Sequence, residues 1–281
     1  MKKMRKLIPA FAMLMVAAIM MSTASFAWFS MSTTATVSGM QVQATANSSL
    51  IITNAINVNA FYTAVQDTTV TGRTDALYPA APAKTEHDGS LAAPENTNDI
   101  DPVTGQLTGD NTLEAITFGD DAEGKYYIDY AVYLSTAGTT ALNGKTITAT
   151  ITIPVSIPTI NNAVTVDFWT ASVVNGAVGN ATYQGTTNFK TIADATDGSA
   201  TTGTVTFKNA VDIPKTFGDK DTTTADGLVD TDIQAVQVIM RVYFNGALEE
   251  TLTDGSKVTY VRNHTALVDN TASFAVQFDA N

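Results

Sequence analysis

The side chains best suited to bind a ligand are the carboxylates of an acidic, threonine-rich segment, residues 215–232. They are Asp219, Asp221, Asp226, Asp230 and Asp232. Closely spaced carboxylates supply the oxygen ligands of Ca²⁺ in EF-hand-type loops, which also place a glycine sixth and a glutamate twelfth. Counted from Asp219, these positions hold Thr224 and Asp230. We therefore prefer to interpret this segment as a solvated acidic loop, with calcium binding as the alternative, and no other cofactor is predicted.

Side chains for catalysis are scarce. The sequence contains no cysteine and two histidines, His87 and His264. The missing cysteines exclude disulfides, thiolate zinc sites and Cys nucleophiles, and two histidines cannot supply a His-rich zinc site. There is also no G-x-S-x-G elbow and no P-loop. We therefore predict that the protein is not an enzyme and that His87 lies in a solvated polar loop. Trp169 and Tyr183 could form a sugar-binding face.

Alternating apolar residues predict that strands form most of the chain. Windows with one apolar face begin at Tyr126, Thr146, Val164, Val236 and Phe274. Asn245-Gly246 is a favoured two-residue hairpin turn. No convincing amphipathic helix follows the first 27 residues, and strands without crossover helices favour antiparallel pairing. The sequence thus predicts an all-β sandwich or barrel with two long loop insertions, residues 67–111 and 215–232.

The first 27 residues have the layout of a helical signal peptide. Four basic residues precede an apolar run from Leu7 to Met21, and a small-residue stretch ends at Ala27. We predict cleavage by signal peptidase after Ala27, secretion, and no stable membrane anchor once the leader is removed. A retained anchor is the alternative, although the run is shorter than the about 20 residues that span a bilayer.

The charge of the processed chain limits its partners. The leader holds four of the 15 basic residues and none of the 27 acidic ones, so cleavage changes the net charge from −12 to −16. Nucleic acid and anionic membrane surfaces are therefore disfavoured. The charge indicates either ion binding or mutual repulsion that keeps the subunits soluble before assembly, and the second interpretation is preferred.

The segment behind the cleavage site predicts a strand at a free N-terminus, residues 28–37. Beginning at Trp28, one face of this strand carries Phe29, Met31, Ala35 and Val37. After Ser38-Gly39 the alternation changes parity, which would turn every side chain to the other face. Residues 40–46 therefore form a second strand, with Ser38 and Gly39 as the hinge. The first strand can fold back on its own domain or add to a sheet edge of a neighbouring copy.

The junction Ala27-Trp28-Phe29-Ser30, followed by Val37-Ser38-Gly39-Met40-Gln41-Val42, resembles proteins with the SipW-dependent type of signal peptide. These include the TasA/camelysin-like biofilm-matrix fibre proteins of Gram-positive bacteria. The resemblance is specific over about residues 20–46 and only compositional beyond them. It implies a jelly-roll domain whose N-terminal strand complements the next subunit. Residues Trp28 to Val37 would then be the donor strand.

The sequence therefore predicts three parts: a signal peptide (1–27), a candidate donor strand (28–37) and one β-sandwich domain (38–281). The predicted function is that of a secreted subunit of a cell-surface or matrix fibre. Its partner would be itself, as a homopolymer, because each subunit gives one strand and receives one. The alternative is a monomeric surface module that binds calcium or carbohydrate.

Overall fold

In the computed structural model of the chain, the described residues belong to the predicted sandwich domain. They are residues 40–46, 50–64, 67–73, 77, 80–84, 86–94, 113–118, 122–136, 140–153, 163–194, 202–218, 220, 227–246, 249–251, 257–259 and 273–281. Most of them are in strands, which confirms the all-β class. The predicted signal peptide, cleavage site, donor strand and hinge lie outside these residues, so those predictions stay predictions.

Eighteen strands are described, in chain order. They are β1 (Met40–Ala46), β2 (Leu50–Thr53), β3 (Asp67–Arg73), β4 (Ala81–Pro82), β5 (Leu91–Pro94), β6 (Leu113–Ala115), β7 (Ile128–Thr136), β8 (Leu142–Lys145), β9 (Ile147–Thr152), β10 (Val164–Val174), β11 (Ala177–Val178), β12 (Thr182–Asn188), β13 (Thr202–Thr206), β14 (Val211–Ile213), β15 (Ala235–Phe244), β16 (Glu249–Thr251), β17 (Lys257–Thr259) and β18 (Phe274–Ala280). Two short α-helices, α1 (Val58–Tyr62) and α2 (Phe189–Asp194), and a 3₁₀ turn (Asp230–Asp232) complete the described elements.

Two main sheets form the sandwich. The first has the order β13-β9-β18-β1-β3, and the second has β11-β10-β15-β7-β2, with β12 also paired to β10. The strands β1-β18-β9-β13 of the first sheet face β7-β15-β10-β12 of the second across one apolar cluster. Such a double sheet has few exposed edges, which limits uncontrolled pairing with other chains.

The core between the sheets is built by the alternation seen in the sequence. Ile128, Tyr130, Val132 and Leu134 of β7 are buried, as are Val164, Val166 and Phe168 of β10. The facing sheet contributes Ile147, Ala149, Ile151, Val276 and Phe278, and both groups belong to one apolar cluster. Because each strand turns one face inward and the other outward, the outer faces are free to carry polar side chains.

One pairing departs from the antiparallel rule. β1 and β18 run parallel, with Val42 opposite Phe274 and Ala46 opposite Phe278, whereas every other strand pair described within the two sheets is antiparallel. Residues 40–46, predicted as a strand, form β1 of the first sheet. This strand lies between β18 and β3 and is not an edge.

Two local expectations are wrong. The predicted loop insertion, residues 67–111, begins with a strand, since Asp67–Arg73 pairs with β1. The favoured turn at Asn245-Gly246 does not form a two-residue hairpin. The Phe244 carbonyl, which would close such a hairpin, accepts from the Ala80 N–H (2.9 Å), and the Asn245 N–H donates to Ala163 O (2.8 Å). The next described strand, β16, pairs with β17.

A small three-stranded sheet, β4-β5-β6, lies outside the sandwich. We call its described residues, 80–84, 86–94 and 113–118, the arm. The arm begins at the end of β15, where the Ala80 N–H donates to Phe244 O at 2.9 Å. Ala80 and Leu91 of the arm are buried with Tyr127 and Tyr243 in a separate apolar cluster. The arm therefore covers part of the outer face of the second sheet.

Candidate functional site

The outer face of β10 and β15 carries large polar and aromatic residues beneath the arm. Asp167 and Trp169 alternate with the core residues of β10, and Arg241 and Tyr243 do the same on β15. Such residues are normally solvated when one face of an antiparallel sheet meets water. Here Asp167 and Tyr243 are both 0% exposed, because the arm covers them.

The centre of the site is a buried pair of ionisable side chains. His87 Nε2 lies 2.7 Å from Asp167 Oδ2, and their side chains are 11% and 0% exposed. The two residues are 80 positions apart and come from the arm and from β10. The prediction that His87 is solvated is wrong, since packing of the arm on the sheet inserts its ring. A buried carboxylate requires such a partner, because its desolvation is costly.

The loop between β4 and β5 presents His87 to the sheet. The Ala83 N–H donates to Ser90 O at 2.9 Å, and the Ser90 N–H donates to Asp88 Oδ1 at 3.0 Å. Asp88 also pairs with Lys84. The Lys84 hydrogen bond, followed by those from Ser90, holds the pKa of Asp88 well below its usual range. These local bonds fix the loop from which the His87 ring projects.

Gly89 completes the turn at a point where no side chain fits. Its φ is +88°, and a Cβ built there would lie 2.1 Å from an indole carbon of Trp169. Glycine adopts a positive φ without steric cost, and it also lets the backbone lie against the indole. The arm is thus seated on Trp169 through Gly89 and on Asp167 through His87.

Aromatic rings surround the histidine. The His87 ring centroid lies 5.2 Å from Tyr183 and 6.5 Å from Tyr243, and Trp169 lies 5.5 Å from Tyr183. Burial, followed by the charge of Asp167, raises the pKa of both tyrosines well above the usual value. Both phenols therefore stay protonated at alkaline pH values where a solvated tyrosine, with a pKa of about 10, ionises.

Four buried polar atoms in this cluster have no hydrogen-bond partner among the described residues. They are His87 Nδ1, Asp167 Oδ1, Trp169 Nε1 and Tyr243 Oη. Most buried polar atoms in proteins are paired with protein groups or with ordered water. All four atoms are buried, and their side chains lie where the arm meets β10 and β15.

Arg241 lies on the same outer face, and its guanidinium has both hydrogen-bond and aromatic partners. Its guanidinium donates to both oxygens of Asp129, at 2.8 and 2.7 Å, and lies 3.9 Å from the ring centroid of Phe118 and 4.2 Å from that of Tyr127. Bidentate pairing and stacking both suit the planar guanidinium. Arg241 is therefore occupied by Asp129 and the aromatic rings.

Two of the five predicted calcium ligands are in the described chain, and both bind other groups. Asp230 Oδ1 accepts from the Val58 N–H at 2.8 Å, and Asp232 Oδ2 accepts from the Val229 N–H at 3.1 Å. Asp232 also lies 3.4 Å from Lys220 Nζ. Asp219, Asp221 and Asp226 lie outside the described residues, so a calcium loop stays a prediction.

Within the described ranges, no group of three or more His, Asp or Glu residues could hold a metal ion. The helices described in the structure include none that is long and apolar enough to cross a membrane.

Comparison with known proteins adds little. No family model matches the chain, and no curated protein does. Two solved structures are weakly similar. One is AvmM, described as catalysing macrocyclization in alchivemycin A biosynthesis, with 9% identity over 55% of this chain and 78% of that one, at a TM-score of 0.25. The other is the collagen-binding domain of the Erysipelothrix rhusiopathiae surface protein RspB, with 11% identity over 78% of this chain and 64% of that one, at a TM-score of 0.15. Neither score supports an argument about fold or activity.

Sequence reasoning identified part of this site. It singled out Trp169 and Tyr183, which the structure brings together, but it missed Asp167 and Tyr243 and placed His87 in solvent. One signal was available: Asp167 is a charged residue within the apolar run 164–169. Chemically, the cluster combines a buried carboxylate, an oriented imidazole and two phenols.

Proposed function

We propose that the protein is a secreted, non-enzymatic subunit of a surface or matrix fibre, which assembles head to tail by donating residues 28–37 to a neighbouring copy. The observation that carries this proposal is the free outer side of β13. In the described part of the chain, the strands of the two main sheets and their core come from residues 40–280, and β13 ends the first sheet with no strand beyond it.

The hydrogen bonds between β9 and β13 show which backbone groups of β13 could pair with an added strand. The Phe207 N–H donates to Ile147 O at 2.8 Å, towards β9. Because residues of an antiparallel strand alternate between facing the partner and facing away, the backbone groups of Thr202, Thr204 and Thr206 point away from β9. The next outward group, the Lys208 N–H, already donates to Gln184 O at 3.0 Å. The free ladder thus spans residues 202–206.

An incoming strand would find both polar and apolar partners at this edge. Its backbone would continue the ladder, and the alternating apolar face of residues 28–37 would turn toward the sandwich interior, as in other cases of strand addition. Filling a pocket with a side chain such as Phe29 or Met31 contributes on the order of 1.5–3 kcal/mol from burial of apolar area. Loss of two such side chains would then abolish stable assembly at micromolar concentrations.

The test compares the chain beginning at Trp28 with one beginning at Ser38, by electron microscopy and light scattering. We expect filaments from the first and monomers from the second. In the longer chain, Thr204→Pro removes an outward N–H of β13 and should also give monomers, whereas the matched control Thr204→Ala keeps the backbone donor and should assemble. Filaments from the chain beginning at Ser38 would overturn the donor-strand mechanism. A monomer from the longer chain at every concentration would favour a monomeric binding module.

A further inference from the structure

We propose that α2 occupies the place in the core that the apolar face of the donor strand would take, so that a neighbouring copy must displace this helix to add its strand. α2 (Phe189–Asp194) follows β12 and contacts both β12 of the second sheet and β13 of the first. The inference rests on the proposed function, because it concerns the same side of β13, and it adds how that side is filled in the free subunit.

Two apolar side chains anchor α2 in the sandwich. Phe189 and Ile192 are 0% and 1% exposed, and both belong to the apolar cluster between the two main sheets. The Phe189 ring centroid lies 5.7 Å from that of Phe274 in β18, in an edge-to-face arrangement. The helix therefore supplies part of the core on the side of β12 and β13.

Ile192 lies directly against β13. A Cβ built on Gly203 would lie 2.6 Å from Ile192 Cγ1 and 3.6 Å from Ile192 Cβ, so the missing side chain at Gly203 makes room for the helix. Side chains alternate along a strand, and Val205, two positions on, is buried in the core. Position 203 therefore faces the core as well. An added strand that turned its apolar face inward would meet Ile192 there.

The spacing of apolar residues in the predicted donor strand suits such a replacement. Side chains three positions apart on a helix lie about 5–6 Å from each other, and side chains two positions apart on a strand lie about 7 Å from each other. Phe29 and Met31 can therefore take the places of Phe189 and Ile192. Apolar contacts are then exchanged, and the backbone hydrogen bonds to β13 are the net gain.

α2 is short enough to be displaced. Its six residues form less than two turns, and helices shorter than about 12–15 residues have little stability of their own. The Thr191 N–H donates to Asn188 Oδ1 at 2.7 Å in an exposed hydrogen bond. The position of α2 therefore depends mainly on the burial of its two apolar side chains, for which the donor strand competes.

The central experiment crosslinks α2 to β13. The chain contains no cysteine, and the 3.6 Å between the two Cβ positions lies within the range that a disulfide spans. Ile192→Cys is combined with Gly203→Cys in the chain beginning at Trp28, and filaments are counted by electron microscopy after oxidation and after reduction. We expect oxidation to abolish filaments and reduction to restore them. The matched control, Ile192→Cys alone, should assemble under both conditions.

A second variant weakens the anchor of α2 without a crosslink. Ile192→Ala should speed filament growth relative to the parent chain, as followed by light scattering, because the helix is easier to displace. Its matched control is Ile213→Ala, which also removes buried apolar atoms from this core but lies in β14 and should not speed growth.

Equal filament yields from the oxidised and reduced double variant, with the disulfide verified by mass spectrometry, would overturn the inference and leave donor-strand assembly intact. If the double variant does not fold or does not oxidise, Ile192→Ala decides, and growth no faster than that of the parent chain would overturn the inference. A parent chain that forms no filaments under any condition would overturn both this inference and the proposed function.

Discussion

At the scale of single residues, the pair His87–Asp167 combines a fully buried carboxylate with a ring that is almost fully enclosed. Removal of one partner from such a pair leaves the other desolvated and unpaired, which is strongly destabilising. The pair Lys84–Asp88 lies in the same turn but has side chains that are 63% and 45% exposed. Water and salt screen such pairs, so they contribute little.

We therefore expect His87→Ala to lower the free energy of unfolding by about 3 kcal/mol. Lys84→Ala, the matched control, should cost less than about 1 kcal/mol. Urea denaturation of the two variants measures the difference. Equal and small costs would show that the buried contact is not formed in solution.

The raised pKa of Tyr243 makes the stability of the folded chain fall at alkaline pH. Its pKa is raised by burial and by Asp167, so the folded chain keeps the phenolic proton at a pH where the unfolded chain, with a pKa of about 10, loses it. Above pH 10 the unfolded state binds fewer protons than the folded state, and stability therefore falls as pH rises.

We expect the urea midpoint to decline between about pH 9 and pH 11, and Tyr243→Phe to make this decline shallower. Tyr183→Phe should have the same effect, because burial and Asp167 also raise its pKa. Identical pH profiles for the parent chain and both variants would argue against these buried, protonated phenols.

The sequence could not reveal this residue pair. Asp167 alternates with core residues of β10, which predicts a solvated outward position, and the arm that buries it lies 80 residues away. Nothing local to Glu86-His87-Asp88 distinguishes an inserted histidine from an exposed one. The burial of Asp167 on the outer face depends on its contact with the arm, and the alternation of apolar residues in the sequence gives no information about such a contact.

At the scale of elements, the close approach of Gly89 to Trp169 determines how the arm is seated. An alanine there would adopt an unfavourable positive φ and would also collide with the indole. Gly144 provides a control, since its φ is +62° but its missing Cβ would meet no atom within 4 Å.

We expect Gly144→Ala to cost about 1–2 kcal/mol, from the backbone conformation alone. Gly89→Ala should cost about 1–3 kcal/mol more, because packing must shift as well. Thermal or urea denaturation compares the two. A partial recovery of Gly89→Ala by adding Trp169→Phe would identify the indole as the source of the extra cost.

Strands were the most predictable elements. The apolar faces of β7, β9, β10, β15 and β18 are buried as their alternation indicates, because a sheet with one covered face requires that pattern. The sequence predicts a loop at β3, because the segment 67–111 that it opens is rich in Pro, Asp, Asn, Thr and Gly. The parallel pairing of β1 with β18 has no sequence signature, because it depends on connections far along the chain.

At the scale of the whole molecule, charge opposes the proposed assembly. With the leader removed, the chain carries a net charge of −16, so approaching copies repel each other. Salt shortens the range of this repulsion from about 30 Å at 0.01 M to about 10 Å at 0.1 M.

We therefore expect filament growth from the chain beginning at Trp28 to accelerate as sodium chloride rises over this range, as followed by light scattering. The chain beginning at Ser38 serves as the control and should scatter weakly at both concentrations. Slower growth in salt would indicate that attraction between opposite charges, instead of strand addition, drives association.

The position of β18 has a consequence for biosynthesis. This strand, Phe274–Ala280, lies between β9 and β1, so the first sheet stays divided into two ribbons, β13-β9 and β1-β3, until residue 280 has been synthesised. Assembly of this sheet must then wait for the last of its strands, and should be slow in the manner of folds dominated by distant contacts. A chain that ends before residue 274 would lack the centre of this sheet and would leave the edges of β9 and β1 unpaired, so it should yield insoluble product.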